Sequence, residues 1–146
     1  RESVTSYFDQ GDTAARKIGN TSCTLDFVTN IEGGDVRVNY YTIDPPRYRG
    51  KALKKHWEVL GLYEQDFSVH LSFGYTPNEL IAAGVTEEEL RLLKSEDEGL
   101  SWTEVPCDVL ADVNRVKTRH PQTSLSLWAI AGSKAAIPAD TWQAYE

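Results

Sequence analysis

Three histidines, two cysteines and many serines and carboxylates are the groups in this 146-residue chain that could do chemistry. A serine hydrolase needs Ser, His and a carboxylate, and all three types are present. No Gly-x-Ser-x-Gly elbow occurs, however, and composition alone assembles no triad. His70 occupies the polar side of an alternating run, beside Ser68 and Ser72 and opposite Phe67, Val69, Leu71 and Phe73. His56 follows a basic stretch and His120 precedes Pro121, so both read as loop positions. No Cys-x-x-Cys or His-x-x-x-His spacing offers zinc a ligand set. Glu87-Glu88-Glu89 and Glu96-Asp97-Glu98 are contiguous runs, the pattern of wet loops, whereas catalytic carboxylate pairs come from separate elements with different environments. Asp108, Asp112 and Asn114 carry oxygens of the kind calcium takes, without the Gly and distal Glu of an EF-hand loop, and read as a solvated turn. The expectation is a chain with no catalytic residue, no metal and no cofactor.

Binding chemistry has more to work with. Arg47, Arg49, Lys51, Lys54 and Lys55 place five of the fifteen basic residues in one short connection, on a chain of net charge −7. A basic loop on an acidic domain can steer one molecule toward the acidic side of another, so these residues are the candidate interaction site. Tyr41, Tyr48 and Tyr63 are the candidate rings for sugar stacking, because the pattern puts them outward or in loops. Trp57, Trp102 and Trp128 read as core or sheet-flanking. The acidic balance argues against a general nucleic-acid binder, since phosphate recognition wants a basic surface. No apolar run approaches the roughly 18 residues of a membrane span.

The elements that position these groups are mostly strands. Alternation at Phe67, Val69, Leu71 and Phe73 gives one buried and one wet face, which favours an antiparallel sheet. Strands are also expected at 22–28, 36–41, 57–62, 90–93, 101–105, 113–117 and 124–131, the first two forming a hairpin across Gly33-Gly34. Pro45-Pro46 stops the second, because proline cannot continue a ladder. Thr76-Pro77-Asn78-Glu79 opens a short helix with a capping box, and Gly84 supplies its left-handed stop. Eight or nine short strands at 8–12-residue spacing, with one helix, describe an all-β antiparallel sandwich. Residues 1–20 form a polar arm or edge strand, 21–132 the sandwich domain and 133–146 a tail.

Cys23 shares parity with Leu25 and Phe27 and should point into the core, while Cys107 follows Pro106 in another apolar run. A bond between them would close a loop of about 85 residues and stabilise the fold by roughly 4–5 kcal/mol. Two separate buried thiols are the alternative. The bond requires an oxidising compartment. The chain starts at Arg1 and contains no Met, as a product with its export signal removed would, or an artificially trimmed piece.

With the strands placed, the segment from Phe67 to Gly132 resembles a β-sandwich module found near the C-termini of large secreted bacterial proteins. The resemblance is carried by Leu71-Ser72-Phe73-Gly74-Tyr75, by Glu79-Leu80 with Ala83-Gly84-Val85, and by Glu89-Leu90-Arg91-Leu92. It continues through Trp102, Asp108, Asp112, Asn114 and Val116 to the run from Ser124 to Ala129, and upstream through Val36 to Pro46. It implies an immunoglobulin-like fold and a non-catalytic structural or adhesive role in a secreted or cell-surface assembly, through protein–protein contacts that include contacts with another copy. The runner-up is a carbohydrate-binding module of a secreted enzyme. The basic loop, the cysteines and both ends lie outside the shared pattern, which carries over no catalytic residue.

Overall fold

Trp57 and Trp128 sit directly opposite one another on neighbouring strands, and Phe73 from the facing sheet closes on both, with ring centroids 4.6 and 5.5 Å away. None of the three rings is exposed. The computed structural model that holds them describes residues 1–11, 14–29, 32–62 and 65–133. Its strands are β1 Glu2–Phe8, β2 Arg16–Lys17, β3 Cys23–Phe27, β4 Gly34–Tyr41, β5 His56–Gly61, β6 Val69–Gly74, β7 Arg91–Ser95, β8 Thr103–Val105, β9 Cys107–Leu110, β10 Arg115–Thr118 and β11 Leu127–Ala131. One helix, α1 Pro77–Ala83, follows β6.

The strands form two antiparallel sheets, neither closed on itself: six strands in the order β1-β4-β5-β11-β7-β8, and five in the order β2-β3-β6-β10-β9. Inward residues alternate as period-two patterning requires. Cys23, Leu25 and Phe27 of β3 and Val69, Leu71 and Phe73 of β6 are buried, and face Val36 and Val38 of β4, Trp57 and Val59 of β5 and Trp128 and Ile130 of β11. Phe8 and Ile18 join the same core, so β1 and the segment around Ile18 pack as part of the sandwich, with β1 as an edge strand paired to β4 from Gly34 to Tyr40.

The helix takes the expected form. The Thr76 hydroxyl accepts from the Glu79 amide (3.2 Å), the Glu79 carboxylate accepts from the Thr76 amide (2.9 Å), and Gly84 ends the helix at φ +69°.

Three expectations are corrected. First, the strand at 23–27 and the strand at 34–41 make no hairpin. β3 pairs with β6 in one sheet and β4 pairs with β1 and β5 in the other, so the connection between them crosses the sandwich. Both strands carry strongly apolar inner faces, and facing sheets bury such a pair as well as neighbouring strands do. Second, eleven strands stand among the described residues instead of eight or nine; β2 and β9 are the additional short ones.

Third, Cys23 and Cys107 are free thiols. They occupy β3 and β9 of the same sheet, with β6 and β10 between them, so three interstrand steps hold them about 14 Å apart. A disulfide needs Cα atoms within about 7 Å. Burial pushes the Cys23 thiol up to about 12, which makes it an inert core group. Most of the tail proposed for 133–146 lies outside the described residues.

A thiol reagent should therefore label Cys107, which is only half-buried, in the native protein, and Cys23 only after unfolding. Adding reductant should leave the thermal midpoint unchanged; a midpoint lowered by reductant would show a bond between them.

Candidate functional site

The basic connection is a strap across the outer face of the six-stranded sheet. Ala52 bridges to Ala131, the Gly132 amide donates to the Lys51 carbonyl (2.8 Å), and the Leu53 amide donates to the Ile130 carbonyl (3.0 Å). Beneath the strap, Leu93, Ala129 and Ala131 form a second small apolar cluster, capped by Tyr48, Ala52 and Trp102. Trp102 donates its indole N–H to the Pro46 carbonyl (2.9 Å), and Arg91 donates to the Tyr48 hydroxyl (2.7 Å). Gly99 lets strap and acidic turn touch: its φ is +90°, and a Cβ there would lie 2.7 Å from Pro46 Cγ.

This geometry redistributes the five candidate basic residues. Arg47, Arg49, Lys51 and Lys54 are exposed, but Arg47 donates to the Glu98 carbonyl (3.3 Å) of the acidic turn in the same molecule. Glu89 is held below its ordinary pKa by the Ser133 amide and the Thr86 hydroxyl first, with Lys51 contributing least. Lys55 leaves the set altogether. It is buried, pairs with Glu79 at 2.8 Å and lies over the rings of Trp57 (5.2 Å) and Tyr40 (5.8 Å). Burial lowers its pKa and Glu79 opposes that shift. The ammonium is a structural cation that ties α1 to the sheet.

Of the candidate tyrosines, Tyr48 is fixed under Arg91 in the strap, and Tyr63 lies outside the described residues. Tyr41 remains on the outer face, stacked on His56 (4.7 Å, 9° between planes). His56 donates through Nδ1 to the Ile43 carbonyl (3.2 Å), and burial lowers its pKa, which keeps it neutral. His70 hydrogen-bonds through Nδ1 with the Thr118 carbonyl (2.9 Å), and His120 is exposed in a loop. Asp108 pairs with Arg119 (3.0 Å), Asp112 is exposed, and Asn114 adopts the left-handed conformation that ends a 3-10 turn. No three His, Cys, Asp or Glu side chains converge among the described residues.

A groove the sequence reading missed opens beside Tyr41. The β5–β11 ladder carries Trp57↔Trp128 and Glu58↔Leu127 and ends with the Val59 amide donating to the Ser126 carbonyl (2.9 Å). Beyond that bond the chains diverge. Ser126 takes φ +65°, Leu62 φ +54° and Gly61 φ +134°, and a Cβ on Gly61 would sit 2.2 Å from the Asp35 carbonyl oxygen. Between the separated strands lies a space of about 530 Å³, walled by Leu60, Leu62, Phe67, Leu125 and Leu127 and rimmed by Glu58, Glu96 and Glu98. A hollow of about 180 Å³ continues it toward Tyr41 and His56.

Two of the three rim carboxylates, Glu58 and Glu96, are held by neutral groups. Asn39 Nδ2 donates to Glu58 (2.8 Å), and Ser124 and Ser126 donate to Glu96 (3.0 and 3.4 Å). None of the three is ion-paired with a described residue. The buried cation Lys94 donates to the Ser124 hydroxyl (2.7 Å), lies over Trp128 and interacts electrostatically with Glu96, whose charge raises its pKa against the lowering by burial. Asp97 shapes the turn from inside, accepting from the Ser95 hydroxyl (2.7 Å) and from the Ser101 amide (2.9 Å) and hydroxyl. These bonds, Ser101's first, hold its pKa down at about 2. The arrangement is suited to holding a ligand with positive charge by contact and hydrogen bonding.

Compared with protein families, with curated proteins and with solved structures, the chain shows no match.

Two substitutions test these roles. Glu79→Gln should cost about 2 kcal/mol or more in a urea melt, since it leaves the buried Lys55 ammonium facing a neutral amide, and adding Lys55→Met should recover part of that loss. Asp97 has a folded pKa below its ordinary 3.8, so its contribution is present above that value and is lost as the pH falls toward about 2. Asp97→Asn should flatten the stability–pH slope over that window.

Proposed function

We propose that the chain is a non-catalytic recognition module, an immunoglobulin-like β-sandwich of a secreted or cell-surface protein, acting through protein–protein contacts. The observation that carries this reading is the groove on the outer face of the six-stranded sheet, where the β5–β11 ladder stops short. Its volume falls in the range of ligand-binding clefts, and its apolar walls with a polar rim are the composition of a recognition surface. The immunoglobulin-like type and the extracellular setting rest on the resemblance of the segment from Phe67 to Gly132. Association of the basic loop of one copy with the acidic side of another has less support, because Lys55 is buried in an ion pair with Glu79 of its own molecule and Arg47 donates to the Glu98 backbone carbonyl.

Carbohydrate binding is the second reading, favoured by Tyr41 beside Glu58 and Glu98 around the smaller hollow. It predicts a change in intrinsic fluorescence with glycans that Tyr41→Ala abolishes.

A photo-crosslinking residue placed at Leu60 or Leu127, with Leu110 on the opposite sheet as control, tests the main reading in the full protein expressed in its own cells. A discrete protein adduct from the groove positions and none from Leu110 is expected. No protein adduct from the groove, or equal adducts from both faces, would overturn it.

A further inference from the structure

We infer that the groove beside β5 takes an extended polypeptide segment bearing a lysine or arginine, laid where the β5–β11 ladder is interrupted. This deepens the protein-binding reading and rests on it. Two observations on the page select the occupant, one geometric and one electrostatic.

The first is shape. β5 and β11 begin as ordinary ladder partners at Trp57↔Trp128 and separate after Val59. The separated stretch of β5, from Leu60 to Leu62, is about 7 Å long, the reach of two or three extended residues. A short strand-like segment fits the gap where the sheet would otherwise continue, and peptide addition along a sheet is a recurring mode of recognition. The walls supply alternate apolar contacts through Leu60, Leu62 and Leu127.

The second is charge. Glu58, Glu96 and Glu98 rim the groove, and among the described residues no lysine or arginine lines it. Glu58 and Glu96 are oriented by an amide and by hydroxyls; neither forms an ion pair with a described residue, and Lys94 offsets Glu96 only from behind the Ser124 hydroxyl. Low-dielectric walls strengthen the field such a rim presents to an incoming cation. A carboxylate-bearing segment would meet three like charges, so the rim both selects and rejects. A basic side chain entering near Leu127 would also pass the Tyr41 ring, a face on which a cation is favoured.

The test uses fluorescein-labelled degenerate peptides of about nine residues, the reach of the groove plus flanks. Three pools carry alternating apolar flanks and differ only at the centre, with Lys/Arg, Ala or Glu. Anisotropy titrations are run on the whole chain at about 0.05 M and 0.5 M salt, on either side of substantial screening. The Lys/Arg pool should bind about tenfold or more tighter than the Glu pool, and the difference should shrink at high salt. The triple variant E58Q/E96Q/E98Q should lose that preference. Leu60→Arg, which supplies a cation from within, should weaken binding of the same pool. Thermal melts of both variants confirm that they fold.

Equal binding of the three pools, or an unchanged preference in the triple variant, would overturn the inference. So would displacement of the pool by unlabelled whole chain but by no peptide, which would assign the groove to a second copy. If groove crosslinks to protein are obtained while the pools do not differ, the basic-segment inference falls and the protein-binding reading stands. If no groove crosslink forms, the broader reading falls by itself.

Discussion

The direct pairing of Trp57 with Trp128 is the contact on which the rest of this sandwich depends. Two of the largest side chains are register partners on β5 and β11, Phe73 packs on both from the other sheet, and the two sheets are thereby tied together at one point. Rings of this size bury on the order of 150–250 Å² each, so few other contacts compete in energy. A buried indole must also satisfy its N–H. Trp57 does so on the Thr21 carbonyl across the sandwich (2.6 Å). Trp128 does so on the Leu125 carbonyl three residues back, which requires the chain to fold toward its own ring just before the strand. The left-handed Ser126 is that fold, and it is also the residue at which the ladder with β5 ends. The groove is thus a consequence of how a core tryptophan meets its hydrogen-bonding requirement.

The same centre explains the placement of charge. Lys55 immediately precedes the strand segment that carries Trp57, and its ammonium lies over the indole and the Tyr40 ring before reaching Glu79. Lys94 repeats the arrangement over Trp128. Each cation combines ring-face attraction with hydrogen bonds, the condition under which a desolvated ammonium is tolerated. The outer sheet face divides accordingly. The half over β7 and β11 is roofed by the strap and buries Leu93, Ala129 and Ala131, whereas the half over β4 and β5 stays open.

Much of the architecture was legible in local pattern. The capping box at Thr76 and the alternation through β6 depend on neighbours a few residues apart, and both appear as read. Sheet membership was not legible, because the inner faces of β3 and β4 satisfy a hairpin and a facing pair equally well. Cys23 and Cys107 share an apolar setting, but parity says nothing about the two strands that separate them. Lys55 looked like one of five solvated cations; its fate rests on Glu79, twenty-four positions away. The groove was invisible for a related reason. Ser126 is an ordinary serine in an ordinary serine-rich run, and its positive φ follows from a ring contact that no local rule encodes.

Asn39 adds the final constraint on how the open face is to be understood. It points outward from β4 yet is only 5% exposed, and its Oδ1 has no hydrogen-bond partner. A buried acceptor left unmade costs about 1–3 kcal/mol, which a threonine or valine at this strand position would avoid. The compensating bond is the one its Nδ2 makes to Glu58. An arginine there would hold Glu58 as firmly and cancel its charge, and Arg37, two residues back on the same face, leaves that task to the amide. Glu58 is therefore fixed in direction with its negative charge intact, at the point where the β5 ladder is about to open. A strand edge, an oriented carboxylate and a neutral amide bearing an energetic cost coincide on one part of the sheet, and packing alone accounts for none of the three together.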